Sequence, residues 1–323
     1  MINPIFENVR KKSPIIHTIT NYVTANDCAN MLLACGASPI MADDVEEAAE
    51  ITSLCHGLTI NLGTLNQNKI SSMLSAGKRA NELGHPVILD PVGIGASKLR
   101  TETALRLIKE VSFSVIRANI SEMKVLISGI KNEGKSSNEG SMKDKKTSNE
   151  GSTEDGKTSN EGSIEGRKTS NESSVEGRKT RGVDADFSDQ ITEENLTEAV
   201  LFAQASAQKL GAVVAISGAI DMVADQEKVY CIRNGHPMMR LVTGTGCQLS
   251  ALTAAFAAAN PNMPLEAAAA AVCAMGVCGE IGFRRLGEMD GNASYRNYII
   301  DAMYHLTPEG LEKEARYEVY EDS

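Results

Sequence analysis

The chain has 323 residues, 42% of them hydrophobic, which allows one large α/β domain or two small ones with a sizeable core. Aromatics are only 4% and Trp is absent, so alanine, glycine and small aliphatic residues must supply the packing, as suits close helix-on-sheet layers. A formal net charge of −10 argues against nucleic acid or an anionic membrane as the main partner, and seven scattered cysteines with no CxxC pair argue against a disulfide framework or zinc site and fit a reducing cytosol.

The first stretch, MINPIFENVRKKSP, lacks the apolar run of a signal peptide, and residues 4–12 read as a short amphipathic helix. Ile15–Ile19 reads as a strand and Asn21–Leu33 as a helix. Ser38–Ala42 is a short strand, and Asp44–Thr52 a helix with Asp43 or Asp44 as its N-cap. Leu58–Leu62 is apolar and strand-like, Lys69–Leu83 is helical, and Gly84 stops it. Pro86–Pro91 is a strand that ends on Asp90, Thr101–Val111 a helix, Phe113–Arg117 a strand, and Glu122–Ser128 opens another helix. Beyond the next segment, Thr192–Leu210 is a long helix and Ala212–Ile216 a strand. Met222–Ala224 and Lys228–Ile232 form a hairpin. Two alanine-rich helices follow, and a helix over Tyr295–Tyr304 completes the chain. The alanine-rich stretch 265–282 is broken by Glu266, Glu280 and several glycines, which predicts a buried helix rather than a membrane span.

Residues 131–182 differ from all of this. Ser-Asn-Glu recurs at 137, 148, 159 and 170, a spacing of 11, amid Gly, Lys and Thr. An 11-residue period can signal a supercoiled helix, but that needs an apolar stripe, and almost nothing here is apolar. The composition predicts a disordered insertion in a single domain that spans 1–323.

Elsewhere short β-branched runs alternate with helices of 10 to 20 residues, and the strands lack a clean period of two. That predicts an α/β fold with a mostly parallel central sheet and helices on both faces. Ligands bind beyond the carboxyl ends of such strands, where Asp90, Arg117, Asn119, Glu122 and Ser217 fall. The run Val242-Thr243-Gly244-Thr245-Gly246-Cys247 then enters a helix. Glycines let the backbone approach a ligand, and the unpaired N–H groups of a helix start suit a phosphate. Asp90 and Glu122 are carboxylates suited to hold Mg²⁺, directly or through water. Arg117 is a phosphate clamp, and the turn, with Thr245 and Gly246, would receive the transferred group. Each residue alone also fits a blander role, as a helix cap, a surface ion pair or, for Cys247, a core filler. No GxxxxGK[ST] and no HRD or DFG set is present, so neither the P-loop nor the protein-kinase scaffold applies.

The stretches SPIIHTITNYV (13–23), GASPIMA (36–42), LTINLGTL (58–65), HPVILDPVGIGAS (85–97), IRANISE (116–122), AISG (215–218), NGHPMM (234–239) and VTGTGC (242–247) resemble hydroxyethylthiazole kinases of the ribokinase-like fold. The resemblance implies transfer of the ATP γ-phosphate to the primary alcohol of 5-(2-hydroxyethyl)-4-methylthiazole, with Mg²⁺, in a cytoplasmic homotrimer with sites at subunit interfaces. It implies that Met41 and Gly244 contact the thiazole and that Arg117 and Ser217 contact ATP, with Asn119, Thr245 and Gly246 beside them. Glu122 and Asp90 would lie near the metal and triphosphate. By its own position at a helix start, Cys247 would be nearest the chemistry, as a proton acceptor whose pKa the helix start lowers and a bound phosphate pushes back up, so that its role is modest. Two residues depart from the family pattern: Ala118 stands where glycine is common, and Ser217 where threonine also occurs. Two other readings are another ribokinase-like kinase, such as one for hydroxymethylpyrimidine, and a non-catalytic thiazole or nucleotide sensor.

Overall fold

A computed structural model of the chain describes residues 2–139 and 191–321. The chain runs through α1 (Ile2–Lys12), β1 (Ile15–Ile19), α2 (Ala25–Cys35), β2 (Ser38–Ile40), α3 (Ala48–Leu54) and β3 (Gly57–Asn61). It continues through α4 (Gln67–Glu82), β4 (Val87–Asp90), α5 (Lys98–Glu110), β5 (Val115–Asn119) and α6 (Ile120–Glu139). Then come α7 (Leu196–Leu210), β6 (Val213–Ser217), β7 (Asp221–Ala224) and β8 (Lys228–Ile232). The last elements are α8 (Thr245–Ala259), α9 (Pro264–Arg284), α10 (Asn292–His305), α11 (Pro308–Glu314) and β9 (Tyr317–Glu321).

The strands form one nine-stranded sheet in the order β2-β1-β3-β4-β5-β6-β7-β8-β9. From β2 to β6 all pairings are parallel, and β7, β8 and β9 add antiparallel. Two apolar cores lie on opposite faces, as the missing period of two predicted. Ile88, Val115 and Ala215 face one core with α1, α2, α8, α9 and α10. Leu89, Ile116 and Val214 face the other with α4, α5 and α7. Alanine lets the helices come close: nearly all of α8 is buried, and α9, although long and apolar enough to cross a membrane, has 83% of its apolar window inside the protein.

Local chemistry sets the boundaries. Asn66 and Ser97 cap α4 and α5 by accepting the N–H of Lys69 and Arg100. The expected cap at Asp43 or Asp44 is half right: α3 is regular only from Ala48, with Glu47 before it, but Asp44 opens the preceding turn as a cap does, its Oδ1 accepting the N–H of Glu46 at 2.9 Å and its carbonyl the N–H of Ala48 at 3.0 Å. Asn21 likewise accepts the N–H of Thr24 at 3.1 Å, capping the turn that leads into α2, which is regular from Ala25. Helix α6 continues through 131–139, past the change in composition; residues 140–182 of the expected insertion lie outside the described residues. The sequence reading missed α11 and β9. The strand's largely exposed Tyr-Glu-Val-Tyr-Glu has no local signal of burial and is held by its pairing with β8.

Candidate active site

Side chains alternate across a strand, so the residue two past a core residue returns to the same face. Asn61, Asp90 and Ser217 close β3, β4 and β6, Arg117 lies two residues before the end of β5, and each is on the face covered by α8. Their contacts knit four strands together. Asp90 Oδ2 accepts hydrogen bonds from Asn61 Nδ2 and Ser250 Oγ of α8, each 2.8 Å. Arg117 Nη1 lies 3.6 Å from Asp90 Oδ1, and Nη2 donates to Ser217 Oγ at 2.8 Å.

The turn before α8 sits on this cluster. Gly244, the N-cap, has φ +85°, and a Cβ there would overlap the Thr24 methyl. It has no side chain to cap the helix, so the first N–H groups of α8 are left uncapped. A Cβ on Gly246 would lie 2.7–3.0 Å from the Arg117 guanidinium. A buried cation thus lies against the positive end of a helix, where charge favours an anion. Burial alone would lower the Arg117 pKa; Asp90, Glu122, Cys247 and Asp221 together outweigh it and hold it raised.

Cys247 occupies the third position of α8. Its Sγ accepts from Asn21 Nδ2 at 3.2 Å and Asn61 Nδ2 at 3.3 Å. The expectation of a lowered thiol pKa is corrected. Burial pushes it up and the charge of Asp90 adds to this, while Thr24, Asn21 and Arg117 pull the other way without reversing it. The helix start acts on the thiol, but removal from water is the larger effect.

Glu122 and Asn119 form a reciprocal cap at the start of α6. Asn119 Oδ1 accepts the N–H of Glu122 at 2.8 Å, and Glu122 Oε2 accepts the N–H of Asn119 at 3.0 Å. Glu122 Oε1 accepts the N–H of Gly93 at 2.8 Å. The bland reading of Arg117 and Glu122 as a surface ion pair is ruled out by burial: Glu122 is 5% exposed, and the Arg117 side chain 13%. Burial and then Asp90 raise the Glu122 pKa, against the two N–H donors and Arg117. Among the described residues no group of three or more His, Cys, Asp or Glu forms a ready metal cage. Asp90 Oδ1 is buried without a hydrogen-bond partner. Together with Glu122 it fits Mg²⁺, which keeps several waters and needs only one or two carboxylates.

The model of the hydroxyethylthiazole kinase family matches residues 6–150 and 169–309. The chain belongs to that family. It is 52% identical to the hydroxyethylthiazole kinase of Clostridium acetobutylicum, over 99% of this chain and 100% of that one. It is 38% identical to that of Methanocella arvoryzae, over 95% and 93%. Among solved structures it is similar to the hydroxyethylthiazole kinase of Pyrococcus horikoshii OT3, with a TM-score of 0.75, 29% identity and 99% coverage of both chains. A pyridoxal kinase from Staphylococcus aureus, at 13% identity, a TM-score of 0.54 and coverage of 95% and 98%, shares the fold.

Set against the pattern of the hydroxyethylthiazole kinase family, Ala118 fits without strain: it is buried in the extended strand β5, and no positive φ is needed there. Asp90, Arg117, Ser217, Gly246 and Cys247 converge, Glu122 and Asn119 adjoin them, and Thr245 opens α8 beside Gly246. Met41 does not join this cluster. It follows β2 at the sheet edge and is 39% exposed. Sequence reasoning missed Asn21, Asn61 and Ser250. The signal for Asn61 was its place at a strand end; Ser250 lies one helical turn after Cys247. A groove of about 690 Å³ between α9, α10 and α11 shares no residue with this cluster.

Proposed function

We propose that the chain transfers the γ-phosphoryl group of ATP to the primary hydroxyl of 5-(2-hydroxyethyl)-4-methylthiazole, as a step of thiamine salvage in the cytoplasm. The observation that carries this reading is the Arg117 guanidinium laid over the uncapped start of α8 beside Asp90. That arrangement suits a phosphoryl group, which both the guanidinium and the N–H groups would hold. The family and its named relatives support the acceptor.

In this reading Arg117, steadied by Ser217, orients the phosphates, and the N–H groups of Thr245 and Gly246 accept the transferred group. The alcohol oxygen forms the new bond to the γ-phosphorus as the bond to the ADP oxygen breaks and its electron pair leaves with ADP. Mg²⁺, when bound, supplies neutralisation of phosphate charge. Asp90 and Glu122 would hold it through water. Cys247, kept in place by Asn21 and Asn61 and itself protonated, packs beside the acceptor and orients it, while the alcohol's proton leaves late, to an oxygen of the transferred phosphoryl group and from there to water. Gly244 and Met41 bound the thiazole. Tyr22, Val23 and Leu241, each over 60% exposed, lie beside Asn21, Thr24 and the glycine turn. Exposed apolar residues at the mouth of a site suit a contact with another copy of the chain, and the family resemblance makes that assembly a homotrimer with sites at subunit interfaces.

ADP release by the purified protein, measured with Mg²⁺-ATP and a panel of thiazole and pyrimidine alcohols, tests this. Turnover with the thiazole alcohol is expected to exceed the others by more than tenfold, in a particle of three times the monomer mass by light scattering. Preference for hydroxymethylpyrimidine would move the chain to another ribokinase-like activity. Binding of both ligands without turnover would make it a sensor.

A further inference from the structure

Lys69 is a lysine with 1% exposure, among the largest fully buried side chains of the described residues. Lysine is almost never buried unless its charge is met. Its Nζ donates to the carbonyl of Thr20 at 2.8 Å, pairs with Asp43 Oδ2 at 3.2 Å, and lies 3.8 Å from the centre of the Tyr22 ring. These partners come from two different loops. Thr20 and Tyr22 flank Asn21, which holds Cys247. Asp43 belongs to the segment after β2 that carries Met41.

That segment has two further anchors. The buried His17 ring in β1 meets the Ala42 carbonyl through Nε2 at 2.8 Å. Ser72 Oγ, one turn along α4 from Lys69, donates to the Asp43 carbonyl at 2.8 Å. His17 and Ser72 tie the segment to the sheet and to α4, but neither reaches the Asn21 loop. Among these anchors the ammonium alone touches both loops, and it does so where burial makes its charge interactions strong.

We propose that Lys69 is a positioning residue: its buried ammonium fixes the Asn21 loop and the Met41 segment relative to each other and so sets the acceptor-alcohol side of the site. The proposal rests on the reading of Met41 and Cys247 as the acceptor side. The phosphate side, built from β4, β5, β6 and the start of α8, has no contact with Lys69 and is left unchanged by its removal.

Lys69→Met keeps the side chain as far as Cε and removes the ammonium, leaving Asp43, whose side chain is 41% exposed, to water. The variant is expected to raise KM for the thiazole alcohol by about three- to tenfold, with kcat and KM for ATP within about twofold. Hydrogen exchange at Asn21–Val23 and Met41–Val45 should speed up in both segments together. Asp43→Asn, which alters an exposed carboxylate and leaves the core intact, should show a smaller change of the same kind and decides the question if Lys69→Met does not fold. Unchanged exchange in both segments overturns the proposal whatever the kinetics. So does an equal loss in kcat and both KM values, the mark of general destabilisation. If the wild type does not phosphorylate the alcohol, the functional reading fails on its own, and the tie between the two loops stands or falls by the exchange result.

Discussion

At Cys247 two fields meet: the positive start of α8 favours a thiolate, and burial beside Asp90 favours the thiol. Burial prevails, so the sulfur stays protonated at neutral pH and serves as a hydrogen-bonding surface for Asn21 and Asn61 rather than as a standing base. Cys247→Ala should then lower kcat by about 10² or less, with KM values similar, and Cys247→Ser should lower it less. Between pH 6 and 8.5 the wild type should show no rate limb that vanishes in the serine variant. A limb that does vanish would restore the thiolate. His17 gives the opposite kind of pH dependence, in stability. Burial holds its pKa below 6.5 against the pull of the Ala42 carbonyl, so the folded ring stays neutral where an unfolded one takes up a proton. The unfolded state binds more protons below about pH 6.5, and the stability that rests on a neutral His17 is lost as pH falls. The Tm gap between wild type and His17→Gln should be widest at pH 7.5 and shrink toward pH 5.5. A gap that stays constant would mean that His17 does not titrate on unfolding.

At the scale of elements, the start of α8 separates folding from binding within three residues. Gly244 is needed for the backbone: φ is +85° and Thr24 lies where a side chain would go. Gly244→Ala should destabilise the protein by at least ~1–2 kcal/mol, the left-handed penalty alone, read as a fall in the urea midpoint. Gly246 has no positive φ, and the atoms nearest a methyl group there are those of the Arg117 guanidinium. Gly246→Ala should leave the urea midpoint nearly unchanged and raise KM for ATP by about tenfold as Arg117 is displaced. Equal effects of both substitutions would show that the turn is only a turn. Much of this was legible in the sequence. Strand ends mark the site in a parallel sheet, and glycines before an alanine-rich helix mark an anion site, so Asp90, Arg117, Ser217 and the turn could be picked out. The state of Cys247 could not, because burial depends on Asn21 and Asn61, 226 and 186 residues away along the chain. Nor could the start of α3, where Asp44 opens a turn that runs through Glu47 before the regular helix begins.

The whole molecule poses the question of residues 140–190, which join Glu139 to Ile191. Helix α6 starts at the carboxyl end of β5 and runs for 20 residues, so at 1.5 Å per residue its far end stands about 30 Å from the site. Ile191 is back near the strand ends, since a Cβ on Gly218 would lie 3.5 Å from it. Whatever joins them must therefore retrace the length of α6. The polar repeats offer no apolar stripe with which to pack on the way. Replacing 140–190 with a Gly/Ser linker of about 24 residues would leave enough chain, at up to ~3.3 Å per residue, to make the return. Halving the length of a flexible loop lowers its closure entropy by only about 0.6 kcal/mol. The variant should thus gain about 1–3 °C in Tm and keep kcat and both KM values within about twofold. A shorter linker of about 8 residues spans at most ~26–29 Å, so it should unwind the end of α6 or strain Ile191 and lower Tm. Thermal melts and steady-state kinetics of the two variants check this. If the 24-residue variant loses Tm or activity as the short one does, the repeats make contacts that their composition gives no reason to expect, and the segment belongs to the folded enzyme.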